Sequence, residues 1–193
     1  MLAGMGIREE IFPCERQEAY VQTEWSKGWG YAGIGYREAA RRLTEEKLTF
    51  GPSIDQTGLA IFFIQRHRVE LALKELLVGR GFDIRGIKSQ HSLVALWHAC
   101  KELVGAETVE WQQMDSGGEL ITVLNGADPG SYSFRYPVDK NGNENERPQF
   151  INLDALAEHV DNFVSLIDGY LAYIEESQQT EGEYEDEMTR EME

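Results

Sequence analysis

The sequence predicts an all-α protein, and three observations carry this prediction. Four segments repeat apolar residues at alternating steps of three and four, the spacing that lines one face of an α-helix. Extended stretches are confined to one region, which precedes the last of these segments. Hydrophobic residues make up 41% of the 193 positions, which is enough for the core of one domain.

Apolar periodicity predicts the first two helices, and glycine residues weaken the first helix and end the second. Residues 25 to 48 present one apolar face, although four glycines in the first half lower helix propensity and predict a kink or a close packing contact. The second helix, residues 55 to 78, is the most apolar segment, and its apolar side chains cover more than one stripe. We therefore expect a central helix, with Gly79 and Gly81 as caps at its C-terminal end.

Two further helices complete the predicted core. Residues 90 to 104 form a helix whose short length suits an antiparallel return. The last helix starts near Asn152, a residue type that caps helix N-termini well, and runs to about residue 176 with one apolar face. These segments define a single domain over residues 1 to 176.

Residues 105 to 151 are predicted to be an insertion between helices, because they hold too few apolar residues for a core of their own. A short helix is expected near residues 119 to 124. An Asn-Gly pair at 141 and 142 lies between two extended stretches, residues 132 to 138 and 149 to 151, which predicts a small β-hairpin.

The charge is strongly acidic and unevenly spread. With 34 acidic and 18 basic side chains, the formal charge is −16, which argues against holding nucleic acid by overall electrostatic attraction. Residues 175 to 193 contain nine acidic side chains and one basic, and residues 177 to 193 are expected to form a disordered acidic tail. Residues 66 to 91 contain six basic and three acidic side chains, a local net charge of +3. Any binding of nucleic acid must therefore be local.

Several classes of protein are disfavoured. The longest apolar run, residues 59 to 64, is far shorter than the ~20 residues that cross a bilayer, and the start of the chain lacks the layout of a secretory signal. We therefore expect a cytoplasmic protein without membrane contact. Cys14 and Cys100 lie far apart and are expected to be reduced thiols. No phosphate-binding glycine loop, Ser-His-Asp set or metal-ligand spacing occurs in the sequence, so no cofactor or metal is expected.

Three polar residues share one ridge of the second helix. His67, Glu70 and Lys74 recur at helical spacing between Phe63 and Leu77, which is an unusual place for polar side chains. The cluster could transfer protons or contact phosphate, with Glu70 orienting His67 beside Lys74. Alternatively, Glu70 and Lys74 form an ordinary ion pair and His67 lies at the helix surface.

Arg85 and His91 lie just before the third helix. An imidazole that moves a 2′-hydroxyl proton and a guanidinium that stabilises charge on the phosphate would together serve RNA cleavage. The alternative is that His91 caps or packs at the start of the helix while Arg85 is solvated.

Arg135 lies between two aromatic residues in one of the extended stretches. Its planar, five-donor cation could grip phosphate or stack on a base. It could equally bind a carboxylate within the fold, such as Glu70. His98 and His159 are isolated in the sequence and receive no role.

Several of these segments resemble a HEPN-like domain. The resemblance lies in the string Tyr36-Arg37-Glu38-Ala39-Ala40 of the first helix, the Glu-Leu-x-Leu-Lys pattern at residues 70 to 74, and the His91-Ser92-Leu93 start of the third helix. The segment Phe134-Arg135-Tyr136-Pro137 fits one branch of such proteins. The likeness covers about residues 25 to 104 and 152 to 174.

The resemblance implies an up-and-down bundle of four or five helices, frequent homodimers, and a setting in toxin-antitoxin, phage-defence or RNA-processing systems. Catalytic members are metal-independent endoribonucleases marked by an Arg, a polar residue, a few more residues and a His, and the paired motifs of two copies meet at a dimer interface. Arg85 and His91 have that spacing, although Gly86 replaces the usual polar residue. Our leading hypothesis is a HEPN-like protein that acts by homodimerisation and by contact with RNA or a protein partner, without robust catalysis. The alternative is an endoribonuclease that uses Arg85 and His91.

Overall fold

The computed structural model describes residues 29–46, 54–86, 90–106 and 108–191, and within these ranges the protein is all-α, as predicted. The helices are, in chain order, α1 (Trp29–Glu46), α2 (Ile54–Gly79), α3 (Leu93–Val104), α4 (Val109–Met114), α5 (Gly118–Ala127) and α6 (Leu153–Glu191). Short 3₁₀ turns lie at Ile84–Gly86 and Asp115–Gly117. Cys14 and the first residues of the predicted helix 25 to 48 lie outside the described ranges.

α2 is the central helix of the fold, as its apolar sequence predicted. Helices α1, α3 and α6 all pack against it. Since neighbours approach from several sides, its buried side chains cover more than one stripe, and they include Ile61, Phe62, Val69, Leu73, Leu76 and Leu77. Each fully buried large apolar side chain contributes about 1.5–3 kcal/mol, so α2 supplies a large part of the core.

Gly81 ends α2 in the way that the sequence predicted. It adopts a φ of +77°, a backbone conformation that glycine enters without a steric penalty. Its N–H donates to the carbonyl of Val78 (2.9 Å), and the N–H of Phe82 donates to the carbonyl of Leu77 (2.9 Å). These two bonds form a Schellman motif. Gly79, the other predicted cap, is instead the last residue of the helix.

Side-chain caps fix where α3 and α4 begin. The Ser92 hydroxyl accepts a hydrogen bond from the N–H of Ala95 (3.3 Å), so α3 starts at Leu93 and not at the predicted residue 90. The Thr108 hydroxyl accepts from the N–H of Trp111 (3.2 Å) and starts α4, a helix that the sequence did not predict. The cap explains why six residues suffice for a helix here.

The turn between α4 and α5 lies directly against α6. A Cβ atom added at Gly117 would lie 2.6 Å from the ring of Phe163, closer than side-chain carbons approach each other. Trp111 packs against Trp97 of α3, with ring centroids 4.4 Å apart. The short helix predicted near residues 119 to 124 is present as part of α5.

The β-hairpin predicted between α5 and α6 is not confirmed. Across residues 128–152 the extended pairing is limited to one isolated bridge between Val138 and Glu144. The Arg147 side chain donates to the carbonyls of Ser133 (2.7 Å) and Tyr136 (2.6 Å). Backbone bonds from Asp139 to Asn143 (2.7 Å) and from Asn145 to Pro137 (3.1 Å) flank the turn, but no further strand pairing extends from them in this segment.

α6 continues to Glu191, well past the predicted end near residue 176, so the expectation of a disordered tail was wrong for the backbone up to that point. Among its side chains that the structure describes, which end at residue 180, the last buried core residue is Ile174. Glutamate and glutamine, which are frequent in this segment, favour helical backbone. None of the described helices combines the length and the apolar character that crossing a bilayer requires.

Cys100 is a free thiol in the core, as expected for a reduced cysteine. Its Sγ lies 3.7 Å from the carbonyl of Leu73. Burial raises the pKa of the Cys100 thiol to about 12, because the charged thiolate has little solvation there. Cys100 is therefore a packing residue at neutral pH.

Candidate nucleic-acid interface

A buried charge cluster lies on α2. Arg66, Glu70 and Lys74 follow each other at steps of four residues, and all three are buried. Arg66 Nη1 donates to Glu70 Oε2 (2.8 Å), and Lys74 Nζ donates to Glu70 Oε1 (2.7 Å). His91 joins from the start of α3, with its Nδ1 2.9 Å from Glu70 Oε1. Glu70 is therefore the centre of the cluster. Its pairing with Lys74 has the spacing of four residues that the sequence indicated.

Glu70 is ionised despite its burial. Desolvation alone would raise the pKa of its carboxyl, but the nitrogen atoms of His67, Lys74 and His91 outweigh that effect and hold the pKa far below the usual value. An ionised carboxylate can only accept hydrogen bonds. Each nitrogen that contacts Glu70 must therefore act as the donor.

Arg66 holds three parts of the chain together, and the sequence reasoning missed it. Besides Glu70, its guanidinium donates from Nη2 to the carbonyl of His91 and from Nε to the carbonyl of Asp128 (3.0 Å). These bonds connect α2 to the start of α3 and to the segment after α5. The spacing of four residues between Arg66 and Glu70 was the signal in the sequence that could have identified it.

Asp128 extends the cluster into the segment that carries Arg135. Its Oδ1 accepts hydrogen bonds from the N–H groups of Tyr132 (2.7 Å) and Ser133 (2.9 Å). Its Oδ2 lies 3.8 Å from Arg66 Nε. The four buried charges of Arg66, Lys74, Glu70 and Asp128 cancel, so the cluster is neutral before any histidine is protonated.

His67 lies at the edge of the cluster. Its Nδ1 is 3.9 Å from Glu70 Oε2, and 21% of its side chain is exposed. The ring stacks on Phe63 (5.7 Å between centroids, 10° between planes) and lies perpendicular to the ring of Tyr36 (4.9 Å, 89°). Thus the structure brings the predicted trio of His67, Glu70 and Lys74 together. The contacts with Phe63 and Tyr36 hold His67 at the edge of this trio.

Arg85 is not brought to His91. Its guanidinium pairs with Asp83, with Nε 2.9 Å from Oδ1 and Nη2 2.9 Å from Oδ2, and both side chains are exposed. This pairing raises the pKa of Arg85 and lowers that of Asp83. Across the described part of the chain, which omits residues 87–89, no contact joins Arg85 to His91. Of this predicted pair, His91 alone belongs to the cluster.

Arg135 lies on aromatic rings and not on Glu70, the carboxylate considered from the sequence. Its Nε donates to the carbonyl of Ser131 (2.6 Å). Its guanidinium carbon lies 5.3 Å from the ring centre of Phe63 and 5.6 Å from that of Tyr136, distances typical of cation–π contacts. Arg135 is itself exposed.

These contacts form one continuous series of ring–ring and cation–π contacts, which we call the aromatic ladder. Tyr136 stacks on Tyr132 at its far end (4.4 Å, 27°). From there the ladder runs, contact by contact, through Tyr132, Tyr136, Arg135, Phe63, His67 and Tyr36. Tyr136 is 46% exposed and the His91 side chain 62%, so solvent reaches the ladder face, meaning the ladder together with His91.

An apolar groove lies between α4 and α6. It has a volume of about 440 Å³ and is lined by Val109, Met114, Leu166, Tyr170 and Tyr173, together with Ser165 and Gly169. Val109, Leu166 and Tyr173 are exposed. This apolar groove is a second candidate contact surface, besides the ladder face.

Comparison with protein-family models, with curated proteins and with solved structures finds no match to the chain. Among the residues that the structure describes, no three side chains are placed to hold a metal ion. The function must therefore be argued from the side chains of the ladder face and the buried cluster below it.

Proposed function

We propose that this protein is a HEPN-like helical bundle that contacts single-stranded RNA through the ladder face and acts as a homodimer. The observation that carries the proposal is the aromatic ladder, in which an exposed arginine lies between two aromatic rings. Proteins that bind unpaired nucleotides combine aromatic faces, on which bases stack, with cations that contact phosphate. The resemblance to HEPN-like proteins is the support for a defence or toxin-antitoxin setting of this contact.

Single-stranded RNA fits this face better than a duplex. Tyr136 is exposed although its ring already contacts Tyr132 and Arg135, and a base can join these rings only when it is unpaired. Each stacked base contributes about 1–3 kcal/mol, with little dependence on sequence. Arg135 brings a planar cation with several donors next to the same surface. We therefore expect binding that tolerates many sequences and excludes duplexes.

The charge of the chain limits the strength of this contact. The buried cluster is neutral, and the basic excess of residues 66 to 91 is only +3 within a chain of −16. Few phosphates can be neutralised, so the salt dependence of binding should be shallow compared with that of a basic nucleic-acid protein. Stacking, not charge, provides most of the affinity in this proposal.

The homodimer is supported by the groove between α4 and α6. Its exposed Val109, Leu166 and Tyr173 form a patch of the kind that protein contacts cover. We expect Leu166→Glu to abolish a concentration-dependent dimer in light scattering. The matched control is Val123→Glu, which places the same charge at an exposed position of α5. A monomer at every concentration for the unaltered chain would contradict homodimerisation.

The alternative of an endoribonuclease built on Arg85 and His91 gains no support from the contacts. Arg85 is engaged with Asp83, and its guanidinium would have to leave that carboxylate to reach a phosphate beside His91. Arg135, in contrast to Arg85, contacts aromatic rings and is not paired with a carboxylate among the residues that the structure describes.

RNA binding is tested by fluorescence anisotropy with a labelled single strand and with the same strand in a duplex. Tyr136→Leu is expected to weaken single-strand binding by about 1–3 kcal/mol, which is a 5- to 150-fold rise in Kd at roughly 1.4 kcal/mol per factor of ten. Phe150→Leu is the control, because Phe150 is an exposed aromatic residue that has no place in the ladder. Equal loss in both variants, or a preference for the duplex, would contradict the proposal.

A further inference from the structure

The groove between α4 and α6 is open on one side and suits an occupant larger than a small ligand. Three of the side chains that line it are exposed, by 65% for Val109, 40% for Leu166 and 55% for Tyr173. A cleft for a small molecule covers about 70–90% of its ligand, which requires a more enclosed shape. An occupant that covers these three side chains must extend beyond the groove, as a segment of a protein does.

Gly169 leaves the backbone of α6 accessible within this groove. It lines the groove and lies in the interior of α6, where glycine is less favourable than alanine. A Cβ atom added there would meet none of the described residues within 4 Å, so packing inside this chain does not account for the missing side chain. Glycine permits the close approach of another backbone, and the distance between two packed helices depends on the side chains at their contact. Gly169 therefore suits a helix that packs along α6.

The two helices that form the groove are acidic. Neither α4 nor residues 153–189 of α6 contain a lysine or an arginine, whereas α6 as a whole holds twelve acidic residues and one basic one. Glu176 is exposed and lies one turn beyond Tyr173, on the same side of α6. Asp115, which directly follows Met114 at the end of α4, is exposed as well. A partner that covers the groove therefore meets negative charge on the α6 side and on the α4 side.

We propose that the groove binds a basic amphipathic helix of another protein, with apolar side chains in the groove and lysines or arginines beside them. Such a helix presents apolar residues at positions i, i+3, i+4 and i+7, a pattern that docks into apolar grooves. Its basic residues are complementary to Glu176, to Asp115 and to the rest of α6.

A second copy of this chain is the weaker occupant of the same groove. It would bring two acidic α6 helices close together, and like charges at an interface oppose association. The basic helix therefore excludes the second copy when both are present. The proposal concerns the groove of the homodimer proposed above, but it does not depend on that dimer.

The test measures the binding of three fluorescently labelled peptides to the full chain by anisotropy. The first peptide consists of leucine and lysine, with the leucines at i, i+3, i+4 and i+7 spacing. The second keeps these leucines and has glutamate in place of lysine. The third has the composition of the first, with the leucines distributed around the helix. We expect the first peptide to bind at least about tenfold more tightly than the other two, because it alone combines an apolar face with positive charge.

The variant Gly169→Ala places the peptide in the groove. Its melting midpoint should rise by about 1–4 °C, since alanine favours helix. The Kd of the first peptide should nevertheless rise by about 5- to 150-fold, because the added carbon obstructs close packing. Gly35→Ala is the matched control, since Gly35 lies inside α1 and an added Cβ meets no described residue within 4 Å. It should raise the midpoint without changing the Kd.

The variant Glu176→Lys tests the charge of the partner. It should raise the Kd of the first peptide by about 2- to 30-fold, because it replaces an attraction with a repulsion. Glu158→Lys is the matched control, since it makes the same change in net charge at an exposed position of α6 about 27 Å from Glu176, beyond the range of electrostatic screening. It should change the Kd by less than about twofold.

Each outcome decides between the occupants. Failure of the first peptide to bind, or equal binding of the glutamate peptide, would overturn the basic helix. Equal binding of the third peptide would also overturn it, since an acidic chain would then attract any cationic peptide. An unchanged Kd in Gly169→Ala would show that the peptide does not lie in the groove. Tight binding of the first peptide to a chain that light scattering shows to be monomeric would support the basic helix and contradict the homodimer, whereas a dimer that persists without binding the peptide would do the reverse.

Discussion

Arg66→Met is expected to destabilise the fold strongly. The guanidinium is fully buried and donates to Glu70 and to the carbonyls of His91 and Asp128. Methionine occupies much of the same space, so packing changes little, but both carbonyls lose a donor and the cluster gains an unbalanced negative charge. Removing one partner of a buried ion pair costs about 3–5 kcal/mol. At roughly 2–4 °C per kcal/mol for a chain of this size, the melting midpoint should fall by roughly 6–20 °C.

Thermal denaturation followed by circular dichroism measures this effect. Arg85→Met is the control, since it removes an arginine from an exposed pair with Asp83 and should leave the midpoint unchanged. A fall of less than about 2 °C for Arg66→Met would correspond to less than about 1 kcal/mol. That result would show that Arg66 does not hold the three segments together, and the reasoning about the buried cluster would be wrong.

Three shorter tests concern a glycine, a carboxylate and a thiol. Gly117→Ala should cost about 1–3 kcal/mol in urea denaturation, because the added carbon meets the ring of Phe163, whereas Gly126→Ala, in open space, should not destabilise. Since the pKa of Glu70 is lower in the fold than the 4.5 of a free glutamate, its contribution to the unfolding free energy is complete above pH 4.5 and is lost as pH falls below it. In Glu70→Gln the unfolding free energy should therefore depend less on pH below 4.5. The Cys100 thiol, with a pKa raised to about 12, should resist iodoacetamide at neutral pH until urea unfolds the chain, as judged by peptide mass mapping.

The central helix could be predicted because its signal is local. Apolar residues on more than one stripe of α2 indicated several neighbours, and glycine after the helix indicated its end. The predicted trio of His67, Glu70 and Lys74 came from the same periodicity, since residues three and four apart lie on one ridge of a helix. Helical spacing therefore found the part of the site that a single element carries.

The ladder and the role of Arg66 depend on contacts between distant segments, which spacing does not contain. Phe63 and Arg135 are 72 positions apart in the sequence, and they meet because Asp128 and Arg66 hold the segment after α5 against α2. Of the two alternatives for Arg135, the one in which it binds Glu70 is not what the contacts show, for the same reason. Charge complementarity suggested a carboxylate, whereas the fold presents aromatic faces.

The hairpin and the tail show two other limits of local signals. The Asn-Gly turn is present, with Gly142 at a φ of +84°, but the pairing of its two arms is limited to the bridge between Val138 and Glu144. In the acidic segment, composition indicated that nothing would be buried, which does not prevent a helix that is continuous with α6. Neither outcome could be derived from turn or composition rules alone.

The central claim is that the ladder face contacts single-stranded RNA. Ultraviolet cross-linking of a bound single strand, followed by mass spectrometry of the peptides, tests it most directly, because aromatic rings stacked on bases cross-link efficiently. The account predicts cross-links on Tyr136 and its neighbours in the ladder, and their loss in Tyr136→Leu. Cross-links confined to α5 or to the groove between α4 and α6, with none on the ladder, would contradict it.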